Sequence, residues 1–129
     1  MYVMWLLLGV YNTGERLFTM RKASTPSCVF CSAEVDSRVH FMLSCVAFNN
    51  IRNSFLSQMI AISPFIKNMI SATDDFLLCI LDPFSPRVPI ELQKSWRSET
   101  EIYKVSRNFC YAMHKKRETL LESFTNTST

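Results

Sequence analysis

Glycine is almost missing from this chain of 129 residues, with Gly9 and Gly14 as its two examples. So few glycines exclude Gly-rich phosphate loops and an all-β fold with many tight turns. Basic residues are missing from the start: none precedes Arg16, and no small-residue cleavage pattern follows the apolar run MYVMWLLLGVY. This argues against an ordinary secretory signal, and the run is too short to cross a bilayer. It reads instead as a buried helix or strand at the edge of a larger architecture of which this chain is a fragment. The five cysteines are odd in number, which argues against a complete disulfide framework. Without an export signal their thiols stay reduced, so the expected setting is intracellular, in nucleus or cytoplasm. Paired aspartates in a setting for two catalytic metals are also lacking. Asp74-Asp75 reads as the start of a helix, and no Ser/His/Asp or Cys/His nucleophilic arrangement persuades. The expectation is a chain that is not an enzyme, binds no small-molecule substrate and enters no membrane.

What is present favours helices. Ten phenylalanines supply bulky core material, and a net charge of +3 permits nucleic-acid binding without demanding it. Residues 1–20 form an apolar segment, then Asn12-Thr13-Gly14 and the short amphipathic stretch ERLFTM. Residues 21–27 are a basic, polar loop. From Val46 to Ile62, the residues Phe48, Ile51, Phe55, Met59 and Ile62 recur at steps of three and four, one stripe of an amphipathic helix that Ser63-Pro64 ends. Thr73 or Asp74 caps a helix through DDFLLCIL. Residues 82–90 hold three of the five prolines and form an irregular connector. Residues 91–124 read as one longer helix with Ile102, Val105, Phe109 and Met113 buried, Lys104, Arg107, Lys115 and Arg117 on other faces, and a frayed TNTST tail.

Residues 28–45 carry the chemistry: Cys28-x2-Cys31-x8-His40-x4-Cys45. Zinc takes four thiolate or imidazole ligands in a tetrahedron, and the x2 turn lets two sulfurs face one ion with Val29 and Phe30 at its tip. His40 and Cys45 are a harder pair. Five α-helical residues rotate by about 500°, which leaves them about 140° apart. A short helix bearing His40, capped by Asp36 or Ser37, must therefore break before Cys45, with a new helix starting near Val46. Cys79 and Cys110 lie in apolar helical stretches and read as packing. Four protein ligands leave no open position, so the Zn²⁺ site is predicted to be structural, with Arg21, Lys22, Arg38 and Arg52 near enough to screen its charge. The predicted fold is mainly α: a small zinc-stapled domain at residues 21–62 with a Cys-x2-Cys turn, and a helical tail at 63–129 ending in a longer C-terminal helix. Chelation is expected to unfold residues 21–62 before that helix.

The text CVFCSAEVDSRVHFMLSCVAFNNIR resembles the zinc-binding region at the C-terminal end of non-LTR, LINE-like retroelement reverse transcriptases. The shared features are the Cys-x2-Cys turn, the acidic Glu34 and Asp36, the run His40-Phe41-Met42-Leu43, Cys45, and a helix bearing Arg52. Upstream, LLLGVYNTGERLF resembles that family's apolar segment with a Thr-Gly step, and the likeness extends over roughly residues 5–62. The tail with Tyr103, Phe109, Tyr111 and Lys115 is less similar. Ser32 stands where the family often has Gly, and Val46 where it often has Pro. The resemblance implies a nucleic-acid context behind a polymerase that this chain lacks. Expected partners are RNA or DNA, met by Arg21, Lys22, Arg38 and Arg52 at phosphates and by Phe30 as a stacking platform, or the reverse transcriptase body. The alternatives are a zinc-stabilised protein-docking scaffold and a non-functional retroelement remnant.

Overall fold

The computed structural model describes Leu6, residues 11–96 and residues 99–127, and among these it is mainly helical with no strand. The apolar start, residues 1–10, lies outside the described residues except for Leu6, which is helical and buried. Five α-helices follow: α1 (Gly14–Thr19), α2 (Asn49–Ile62), α3 (Asp74–Leu81), α4 (Ile90–Ser95) and α5 (Glu99–Thr127). A π-helical turn, His40–Ser44, and two 3-10 turns, Val46–Phe48 and Pro64–Asn68, link them. No described helix is long and apolar enough to cross a membrane.

The core forms where α2 lies along α5. The rings of Phe55 and Phe109 stack there with centroids 4.0 Å apart, and Met59, Ile102 and Met113 are fully buried. Thr73 caps α3 by accepting the N–H of Phe76, as the sequence suggests. α2 ends at Ser63, whose buried hydroxyl meets that of Ser95 and ties α2 to the end of α4.

Residues 91–124 are not one helix. α4 stops at an extended Trp96, whose indole N–H donates to the carbonyl of Pro83, and α5 is described from Glu99. The reason lies in the proline-rich connector, whose carbonyls need donors. Gln93 on α4 donates to the carbonyls of Ser85 and Val88, so α4 is bent round to satisfy the loop before it. At its far end α5 remains helical through Thr127, where fraying is expected from the sequence, and Ser128 and Thr129 lie outside the described residues.

Candidate metal centre

The Cys-x2-Cys turn closes on its own backbone. Ser32 N–H donates to the Cys28 carbonyl, and Cys28 N–H to the Ala33 carbonyl. Ser32 pays for this with a left-handed φ of 66°, the conformation glycine adopts freely. Val29 is 61% exposed at the tip, while Phe30 turns inward.

On the other side, Ser37 caps the short helix by accepting the His40 N–H at 3.1 Å. Asp36 does not cap it. The last turn then widens: Cys45 N–H bonds the His40 carbonyl five residues back at 2.7 Å, and Cys45 itself is extended with ψ 124°. The wide turn and the break after it bring side chains 40 and 45 to one point, which a regular α-helix keeps about 140° apart. Val46 restarts the chain in a 3-10 turn that runs into α2.

The ligand atoms of Cys28, Cys31, His40 and Cys45 all lie within 4.8 Å of one another, close enough to hold a metal ion. The Cys28 and Cys45 sulfurs are 3.8 Å apart, and the Cys31 sulfur is 3.3 Å from His40 Nε2. Sulfurs about 2.3 Å from a shared tetrahedral ion stand about 3.8 Å from each other, so the donor set fits zinc in kind and in spacing. Burial raises the Cys28 thiol and pushes Cys45 up to about 12. Thiolates in such a place call for a neighbouring cation, which a divalent metal supplies. Burial holds the His40 imidazole below its ordinary value, against a smaller upward pull from Asp36, and this favours the neutral ring that ligates metal. Cys79 and Cys110 sit in the core away from this cluster; burial raises both, Cys110 to about 12, as befits inert packing thiols.

The five residues proposed from sequence for nucleic acid differ in exposure and in partners. Arg21 and Lys22 are exposed where α1 ends; their N–H groups bond the carbonyls of Phe18 and Leu17, and Arg21 is left-handed at φ 59°. Arg38 donates to the Leu6 carbonyl at 2.8 Å and pairs with Asp74 at 3.6 Å. Arg52 is a correction, since it is 5% exposed and faces the interior. Its guanidinium donates to the carbonyls of Met42 and Cys45 and to the Asn49 side chain, binding the π turn to α2. Phe30 is a second correction. Its ring packs edge-on against Phe48 and lies 5.1 Å from the Arg117 guanidinium, so it is engaged within the domain.

Arg117 is itself a correction, for the sequence puts it on an outer face of α5. It is 5% exposed, with its guanidinium between the rings of Phe30 and Phe41 and bonded to Asp36 at 2.7 Å. Asp36 is the hub that sequence reading missed. Its carboxylate also accepts the Gly14 N–H, its carbonyl accepts Glu15 N–H, and its own N–H reaches Pro26. Gly14 is required here, because a Cβ would stand 2.8 Å from the Ser27 carbonyl oxygen and 2.9 Å from Asp36 Cβ. The signal was present in the 3.6-residue period: Arg117 lies four residues beyond Met113, on the buried stripe.

Fold and site define a small, mainly helical protein with a Cys3His cluster placed to hold a metal ion. No family model, curated protein or solved structure matches the chain.

Proposed function

We propose that this chain is a zinc-stapled nucleic-acid-binding module derived from a retroelement reverse transcriptase and lacking the polymerase. The convergence of Cys28, Cys31, His40 and Cys45 within 4.8 Å carries the reading. These four residues would hold the ion and leave no open position, so its role is structural. Three thiolates, a neutral imidazole and Zn²⁺ sum to a net charge near −1. The buried Arg52, bonded to the Cys45 carbonyl, offsets that charge from α2. Support for the nucleic-acid part comes from the sequence resemblance and from the exposed Arg21 and Lys22.

A second reading, a docking scaffold for another protein, is favoured by two exposed valines next to ligands, Val29 at 61% and Val46 at 65%. Affinity for nucleic acid that falls steeply with salt separates the two, because a docking scaffold lacks that dependence. The test of the metal itself is zinc content per chain. One ion per wild-type chain and loss of it in Cys28→Ser is the expected result, and a wild type without zinc overturns the proposal.

A further inference from the structure

The chain has no acidic residue between Asp36 and Asp74, nor between Glu101 and Glu118. The fold sets these two acid-free stretches side by side, since the first contains α2 and the second the middle of α5. Between them runs a groove of about 430 Å³. The buried Phe55 and Phe109 rings contribute to its lining, and exposed Asn50, Ser54, Gln58 and Asn108 give it hydrogen-bonding groups.

One face of α5 flanks this groove. At about 100° per residue, Tyr103, Lys104, Arg107, Tyr111 and Lys115 share an arc of about 120°, and groove-lining Asn108, Ala112 and Val105 occupy about 60° just beyond it. All five flanking residues are exposed, Tyr111 by 54% and Tyr103 by 38%. Tyr103 leans on Phe84 with centroids 5.6 Å apart, and Lys115 pairs with Glu118 at 3.4 Å across the surface. Such a surface pair is weak and exchanges readily for a phosphate.

We propose that this face and the groove beside it form a track for single-stranded RNA, with phosphates on Lys104, Arg107 and Lys115, a base stacked on Tyr111, and base edges or 2′-hydroxyls in the amide-lined groove. Three cations without an intervening acid complement a polyanion. Tyrosine faces between them suit unpaired bases, and neutral side chains that both donate and accept suit the 2′-hydroxyl. The track deepens the nucleic-acid reading above and rests on it, while moving the contacts away from the metal turn.

The test is fluorescence anisotropy of the full, zinc-loaded chain with a short mixed-sequence single-stranded RNA, across a salt series. The triple variant Lys104→Ala/Arg107→Ala/Lys115→Ala is expected to lose at least about tenfold in affinity, and its log–log salt slope should shrink by about 2. Tyr111→Ala should lose about tenfold while Tyr111→Phe keeps its affinity. Ser54→Asp, which puts a carboxylate in the groove, should weaken binding, and Lys67→Ala/Lys94→Ala, two exposed cations elsewhere, should not. An unchanged triple variant, or an equal loss in the Lys67/Lys94 control, overturns the track. Equal affinity for DNA of the same sequence, or for duplex RNA, overturns the assignment to single-stranded RNA. Binding that survives the triple variant and is lost in Arg21→Ala/Lys22→Ala overturns the track alone. Absence of RNA binding by the zinc-loaded wild type at low salt overturns the nucleic-acid reading as well.

Discussion

Between Tyr11 and Phe48 the protein has one six-residue α-helix with no buried side chain, while between Asn49 and Met113 it has four α-helices around stacked aromatic rings. The first region buries Tyr11, Phe41, Met42 and Phe48 and gathers polar groups beside them: three thiols, an imidazole, and a buried carboxylate that meets the Arg117 guanidinium. The second converges on Phe55, Met59, Ile66, Leu92 and Phe109. The first region's aromatic cluster is small and its backbone mostly loop, so a metal and a buried ion pair add the definition that long helices supply elsewhere. Where helices are long enough to show a buried stripe, oil suffices.

The two regions are joined by α5, which lends Phe109 and Met113 to one and Arg117 to the other. The largest expected effect therefore comes from the metal. Chelation, or Cys45→Ser, should remove stability on the order of 10 kcal/mol from the first region. Hydrogen exchange should show residues 11–48 losing protection first. The α5 turn around His114 and Arg117 should follow, since His114 holds the Tyr11 hydroxyl at 2.7 Å and Arg117 rests on Phe30 and Phe41. Retained protection in residues 11–48 would erase the contrast.

Next in size are two truncations about two turns apart on α5. Arg117→Ala leaves the Asp36 carboxylate buried and unpaired and should cost about 3–5 kcal/mol. Phe109→Ala opens a core cavity and should cost about as much, ~3–5 kcal/mol. Metal content at fixed temperature distinguishes them: Arg117→Ala should lower zinc retention under chelator competition, and Phe109→Ala should leave it unchanged. Gly14→Ala is smaller, about 1–3 kcal/mol, because the new methyl meets backbone at Ser27. Its loss should likewise appear in zinc retention. Ser32→Gly has the smallest effect and the opposite sign. Removing the left-handed strain should raise stability by about 1 kcal/mol in thermal unfolding of the zinc-loaded chain. No gain there would mean that the turn draws no penalty from Ser32.

Much of the architecture was legible from periodicity. Phe55, Met59 and Ile62 repeat as a helix requires, Thr73 precedes a helix it caps, and the angular conflict between His40 and Cys45 requires the break that the structure has. The stripes also misled at two positions. In α2 the buried place near its start belongs to Arg52, with Ile51 only half-buried beside it, and in α5 the stripe runs on into Arg117. A charged side chain suggests water, and nothing local says that carbonyls of a π turn or the Asp36 carboxylate wait for it in the interior. The split at Trp96 was hidden for the same reason, since its cause is the set of connector carbonyls that Gln93 and Trp96 satisfy.

The sequence by itself determined the four ligand types and their spacing, the helical class, and the stops at Ser63 and the proline-rich connector, because these depend on backbone geometry within a few residues. Tertiary structure alone decided that the four ligand atoms meet, that Arg52 and Arg117 turn inward, and that two acid-free stretches lie against each other. Those outcomes require groups as far apart as Asp36 and Arg117 to satisfy one another's charge and hydrogen bonds, and only the folded chain brings them within reach.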